Sequence, residues 1–431
     1  MNFFHVKNAN DLKSLVQSFQ QDGAVSKSIF SDVQKILLAV KNRGDAACVE
    51  FTEKFDGVKL SPEMQEIDKD TWQKTASSIN SDLQEALQFA AKNIQFFHEK
   101  QKQSSWEINR DGVILGQRIV PIERVGVYIP GGRAKYPSTV LMTAIPAKIA
   151  GVDEIIMVSP PDRETGTIDP VLLYAANLAG VDRVFKCGGA QAVAALAYGT
   201  DCIPHVDKIV GPGNAYVAEA KRQVFGTVGI DLIAGPSEVA ILVDEQTKTE
   251  WIVQDLFAQM EHDPLTRCLI VSLCADKADE IIQLAQNKLH SAPRSAILQQ
   301  AWVGSTTVTV VENKEVAIEI LNGFAAEHLE IMTANPREIL PEIKHAGAIF
   351  LGQFSPVPMG DYVAGPNHTL PTNSTARFAS ALGVYDFVRH QDIIEYDEES
   401  WQREARFVDR LAQAEELPNH ALSAMARNRE R

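Results

Sequence analysis

Cysteine is scarce and scattered in this 431-residue chain: Cys48, Cys187, Cys202, Cys268 and Cys274 are odd in number and nowhere spaced C-x-x-C. That pattern disfavours both a disulfide framework and a thiolate zinc site. Long apolar runs are missing as well, since no stretch approaches the roughly 18 apolar residues that suggest a membrane span. The opening MNFFHVKNAN lacks a basic segment followed by an apolar block, so no secretory leader is expected and the expected compartment is cytoplasmic. Basic charge is in deficit: lysine and arginine total 41 against 56 acids, a net charge of −15. A nucleic-acid phosphate backbone would meet net repulsion, so the expected partner is a small molecule, with neither nucleic acid nor membrane.

What is present is ordinary globular material. Hydrophobic residues make up 45% and charged residues 23%, which argues against long disorder or a coiled-coil rod. The length allows two to four domains at about 100–200 residues each. Up to about Glu107 the pattern is helical: SIFSDVQKILLAVKNRG places Ile29, Val33, Ile36, Leu37 and Val40 on one face and ends at Gly44. From RVGVYIPGG onward, short β-rich runs (VGVYI, EIIMVSP, RVFKCGG) alternate with helical ones (STVLMTAIPAKIAG, DPVLLYAANLAG, AQAVAALAYG). The alternation restarts after KIVGPGNAYVAEAKRQVFG with EVAILVDE, RCLIVSL and TTVTVVE as strands. Strands separated by helix-length segments mean βαβ units, so the predicted class is α/β: two Rossmann-like domains with mostly parallel sheets, plus small helical N-terminal and C-terminal parts. Beyond about Asp392 the chain turns polar and helical and finishes in a basic tail, ARNRER.

Glycine-rich turns follow two predicted strands, Gly131-Gly132 and Gly211-Pro212-Gly213-Asn214, and strand-to-helix turns of this kind place helix N-termini against anions. Neither is a G-x-G-x-x-G fingerprint, and each is also explained as a tight turn. Gln259 and His262, three apart in QDLFAQMEH, would share one helical face, with Asp361 and His420 far downstream; imidazole and oxygen donors suit zinc, manganese or cobalt. The same spacing fits an exposed polar face. Glu327-His328 lies between a helical and a strand-like run, where a histidine base and a glutamate tuned by burial are both usable. In a regular helix the two would diverge by about 100°, so joint action requires a break between elements.

Taken together and in order, VGVYIPGGRAKYPSTVLMTAIPAKIAGV, CGGAQAVAALAYGT, KIVGPGNAYVAEAKRQVFG, IDLIAGPSEVAILVD, QMEHDP, AAEHLEI, GDYVAGPNHTLPT and AEELPNH resemble the histidinol dehydrogenase family over nearly the whole chain. The resemblance implies a zinc-dependent, NAD-linked homodimer that oxidises L-histidinol through an aldehyde to L-histidine. It implies one zinc per subunit held by Gln259, His262, Asp361 and His420, and Glu327 and His328 as the catalytic bases. Ser237, His368 and Glu415 would join the metal ligands and His328 in touching substrate, while Tyr128, Gln191 and Asn214 would face NAD. The expected division is a first α/β domain at 24–127 and 238–382, a second at 128–237, and an accessory part at 1–23 and 383–403. A tail at 404–431 would carry Glu415 and His420 to the partner subunit's site. One departure is local: Glu416 stands before Leu417 where the family often has glycine. Two other chemistries fit parts of the pattern, namely a thiohemiacetal on Cys187 and a zinc hydrolase using Glu327 as base. A nonenzymatic α/β binding protein is the third alternative.

Overall fold

The computed structural model describes residues 1–19, 27–76, 78–131 and 135–427. Gly132, the expected boundary at residue 24, and residues 428–431 of the basic tail lie outside the described residues. The chain opens with strand β1 (Asn2–Val6) and passes through helices that include Lys27–Arg43. It then forms β2 (Trp106–Arg110) and β3 (Val113–Pro121). Five strands follow: β4 (Arg124–Tyr128), β5 (Glu154–Ser159), β6 (Arg183–Lys186), β7 (Lys208–Val210) and β8 (Gly229–Ile230). Five more are β9 (Glu238–Val243), β10 (Arg267–Ser272), β11 (Thr306–Val311), β12 (His328–Ile331) and β13 (Ala348–Leu351), and β14 (Val388–Tyr396) comes last.

Two compact units result, one of residues 1–101 and 123–387 and one of residues 102–122 and 388–431. The larger unit holds two parallel sheets, ordered β1-β11-β10-β9-β12-β13 and β6-β5-β4-β7-β8. The α/β class with mostly parallel sheets therefore holds. In both sheets the strand order reverses at one place, beside β9 where β12 joins and beside β4 where β7 joins. Such reversals leave a crevice between diverging connections, the usual seat of ligands in open α/β sheets.

The strands form where predicted because they are buried on both faces. All six residues of β9 and of β10 are buried, and continuous apolar runs of that length mark a covered parallel sheet. The helix Lys27–Arg43 buries Val33, Ile36, Leu37 and Val40, the predicted stripe. Gly126, at the centre of β4, lets the helix Gly189–Tyr198 approach closely: a Cβ there would lie 2.7 Å from Leu196 Cδ1. Gly126→Val is therefore expected to cost about 1–3 kcal/mol of stability by overpacking, read as a lower denaturation midpoint.

The termini depart from expectation. Residues 2–6, within the stretch 1–23 expected in an accessory part, instead form β1 of the six-stranded sheet, with Asn2 beside Thr307 and Val6 beside Val311. The supposedly all-helical start thus contains a strand, and the polar stretch around Asp392 is the nine-residue β14. Both were hidden for one reason: β1 and β14 are almost entirely exposed, so nothing enforces an apolar alternation along them. In the smaller unit β14 pairs antiparallel with β3, and β3 with β2. The helices Glu398–Ala414 and Pro418–Met425 complete that unit, joined by Trp401 Nε1 donating to the Ala424 carbonyl at 2.9 Å. Between them Glu416 has φ +58, a left-handed conformation that favours glycine, which is the residue the resemblance leads one to expect there.

Candidate active site

The helix Lys314–Phe324 ends on Ala325, whose φ of +51 turns the chain sharply, and β12 begins at His328. That turn supplies the break that Glu327 and His328 need in order to act together. Both are buried, and Glu327 Oε2 lies 3.6 Å from His328 Nδ1. The main chain of one residue unites them. Glu238, the first residue of β9, donates its N–H to Glu327 Oε2 at 3.0 Å, while its carbonyl lies 3.2 Å from His328 Nδ1. The carbonyl can only accept, so Nδ1 carries the proton and Nε2 is the working atom of the ring. Nε2 lies 3.7 Å from Asp361 Oδ1 and has no hydrogen-bond partner.

The Glu238 side chain fixes this stretch of main chain. It is fully buried and its Oε1 accepts from Arg267 Nη1 at 2.7 Å, while Arg267 N donates to the Ser237 carbonyl at 2.9 Å. Ser237 itself is half-buried at the start of β9. The electrostatics suit proton transfer. Burial raises Glu327 to about 7 against the opposing pull of His328 and the Glu238 N–H. Burial pushes His328 down, but Glu327 and Asp361 outweigh it and leave the imidazole raised to about 9.

Gln259 sits in the last turn of the helix Thr249–Met260, and His262 lies just beyond the helix, its N–H reaching back to the Gln259 carbonyl. The pair therefore spans a helix and its exit turn rather than one helical face. Gln259 is 1% exposed and its Oε1 has no partner. His262 is open to solvent at the rim, yet the protein crowded round it holds its pKa below the usual value. Asp361 lies on the short helix Val357–Tyr362; burial would raise it, but His328, His368 and His262 together hold it below the usual carboxylate range. An orphaned amide oxygen, an imidazole kept neutral and a carboxylate kept charged suit a divalent cation. Among the described residues no three His, Cys, Asp or Glu side chains converge as a metal cluster. His420 and Glu415 belong to the smaller unit, where both are exposed. His368 places Nδ1 2.9 Å from the Asp361 carbonyl and Nε2 3.3 Å from Thr139 Oγ1, so both ring nitrogens have protein partners.

Three contributors escaped sequence reading: Glu238, Glu330 and Asp255. Glu330, two residues beyond His328 on β12, points to the same side of the strand. It is buried, and its Oε1 accepts from the N–H of Val357, the first residue of the helix that carries Asp361. Burial and then Asp255 raise Glu330 to about 8, and burial raises Asp255 to about 6. In sequence such residues look like ordinary polar positions; only their burial distinguishes them.

The second sheet builds a cleft of about 1110 Å³ at the carboxyl ends of β4 and β5, lined by Tyr128, Gly131, Pro160, Gln191, Asn214 and Tyr216 among others. The expected nucleotide residues Tyr128, Gln191 and Asn214 all reach it. Tyr128 ends β4 and its hydroxyl accepts from Gly189 N–H at 3.0 Å. Gln191 is 1% exposed and neither polar atom of its amide has a partner, a pairing that a bound ligand could satisfy. The volume exceeds what a compact small substrate needs and suits a dinucleotide. Cys187, the alternative nucleophile, is fully buried, and contact with Cys48 followed by burial raises its thiol well above the ordinary range, so the thiolate required for attack is disfavoured.

Buried acid–base groups at the amino ends of β9 and β12 and a large cleft at the carboxyl ends of β4 and β5 mark an α/β enzyme. The sequence profile described as Histidinol dehydrogenase matches residues 20–428. Curated histidinol dehydrogenases from Aquifex aeolicus and Pseudomonas aeruginosa are each 48% identical, covering 92% of this chain and 91% and 90% of their own lengths. The solved structure of histidinol dehydrogenase from Elizabethkingia anophelis superposes with a TM-score of 0.93 at 34% identity, covering 99% of this chain and 98% of that one. The chain belongs to the histidinol dehydrogenase family, and is an oxidoreductase that oxidises histidinol in histidine biosynthesis.

Proposed function

We propose that the chain carries out both oxidations of that pathway step, taking L-histidinol through a bound L-histidinaldehyde to L-histidine in four electrons. NAD would supply the hydride acceptor, and one zinc ion per subunit would supply a Lewis-acidic anchor for the substrate. Gln259, His262 and Asp361 would hold the metal together with His420 of a second copy, with Ser237, His368 and Glu415 around the substrate. The enzyme would be a cytoplasmic homodimer with shared sites. Among the described residues no helix is long and apolar enough to cross a membrane.

The observation that carries this reading is the grouping of Glu327 and His328 on the main chain of Glu238, with His328 Nε2 unpartnered beside Asp361. In the first oxidation His328 Nε2 takes the hydroxyl proton as hydride leaves the carbinol carbon. Asp361 is one of the groups that raise His328, so engaging that carboxylate elsewhere returns the imidazole toward the neutral form that can accept a proton. The second oxidation needs a hydrated aldehyde, and Glu327, raised to about 7, would take a proton from the attacking water. The Glu238 N–H and carbonyl hold both bases through the two steps.

Purified protein mixed with histidinol and NAD⁺ is expected to produce two NADH per histidine, with activity abolished by chelation and restored by zinc. Histidinol turnover unaffected by exhaustive metal removal would refute the metal assignment, and failure of NAD⁺ to serve as acceptor would refute the cofactor assignment.

A further inference from the structure

The turn Gly211–Asn214, between β7 and the helix Ala215–Val224, is held by an ion pair for which the reaction has no use. Lys221 lies on that helix and Asp231 just past β8; the side chains of both are 2% exposed and they pair directly. Each also grips the same glycine. Lys221 Nζ donates to the Gly211 carbonyl at 3.0 Å, and the Gly211 N–H donates to Asp231 Oδ2 at 2.7 Å. Both backbone polar groups of one residue are thus tied to the two halves of one buried ion pair, closing a ring.

Gly211 is where the turn meets the first wall of the cleft. Its φ is +112, and a Cβ there would lie 2.2 Å from the Tyr128 carbonyl oxygen, so the turn is pressed against the end of β4. Three residues on, Asn214 Oδ1 accepts from the Tyr216 and Val217 N–H groups at 3.0 and 3.2 Å, which starts the helix. Tyr128, Asn214 and Tyr216 all line the cleft. Burying a lysine and an aspartate is expensive, and an apolar pair of similar volume often serves stability as well or better. What the pair supplies that an apolar pair does not is a set direction for the two peptide groups that flank Gly211.

We propose that Lys221 and Asp231 are positioning residues for dinucleotide binding: the ion pair fixes the Gly211–Asn214 turn, and with it the wall made by Tyr128 and Asn214, without either charge touching the ligand. This rests on the reading of the cleft as the seat of NAD. The discriminating variant is the double substitution Lys221→Met with Asp231→Leu, which removes both charges and leaves neither buried alone. In the zinc-loaded enzyme, NAD⁺ affinity is measured by titration, alongside metal content, the KM for histidinol and the thermal midpoint. Lys221→Met alone is expected to lower the midpoint, because Asp231 is left uncompensated. The double variant should recover the midpoint yet still bind NAD⁺ about tenfold or more weakly, with metal content and the KM for histidinol close to wild type. A double variant that recovers both midpoint and NAD⁺ affinity overturns the proposal, since the pair would then be structural. Should the double variant not fold, the shape-preserving Asp231→Asn takes its place under the same criterion: weakened NAD⁺ binding at normal metal content supports the clamp, and unchanged affinity overturns it. A wild-type enzyme that oxidises histidinol without binding NAD⁺ would remove the cofactor reading, and the clamp with it.

Discussion

Glu327→Gln is expected to slow oxidation of the aldehyde by roughly 10²–10⁴-fold, the range supplied by one general base, while metal content stays at the wild-type level. Oxidation of the alcohol should suffer less, because in the proposed mechanism that proton goes to His328. Glutamine keeps an oxygen to accept the Glu238 N–H, so the loop geometry should survive and the loss should report on proton transfer. The two half-reactions can be measured separately by supplying histidinol or histidinaldehyde in single-turnover experiments. If the alcohol step is hurt more, the roles of the two residues must be exchanged.

His262→Ala is expected to remove metal and activity together. His262 comes off the end of a helix whose last turn holds the orphaned Gln259 oxygen, and it shares its electrostatic surroundings with Asp361 and His328. Losing one neutral imidazole from a small donor set should weaken metal binding by a large factor. Zinc per subunit after dialysis against a weak chelator, measured beside kcat, checks this. Full zinc content with activity lost would make His262 a substrate contact only, and full activity without zinc would end the metal reading.

Much of the architecture is legible in the sequence because burial writes it there. β9 and β10 read as EVAILV and RCLIVS, strands with no solvent-facing side to interrupt them. Val33, Ile36, Leu37 and Val40 repeat at helical spacing because one face of their helix is covered. β2 and β14 are exposed, so their residues answer to no such constraint and the strand character is lost. The acid–base pair was visible as a polar dipeptide at a junction, where the positive φ of Ala325 now accounts for the break. Glu330 and Asp255 were not visible, since a buried carboxyl group and a solvated one are spelled with the same letter. The resemblance to a family supplied Tyr128, Gln191 and Asn214, which periodicity alone could not select; they come from a strand end, a helix and a helix cap that meet only through the order of the five-stranded sheet.

Glu238 offers its main chain, and not its carboxyl group, to Glu327 and His328. An amide and a carbonyl are common to nearly every amino acid, so only proline at this place would delete the N–H, and no substitution would delete the carbonyl. Any other substitution acts at a remove, by loosening the arginine that anchors the strand, and a scan that trims side chains one by one would rank the position by its packing while passing over the service its main chain performs.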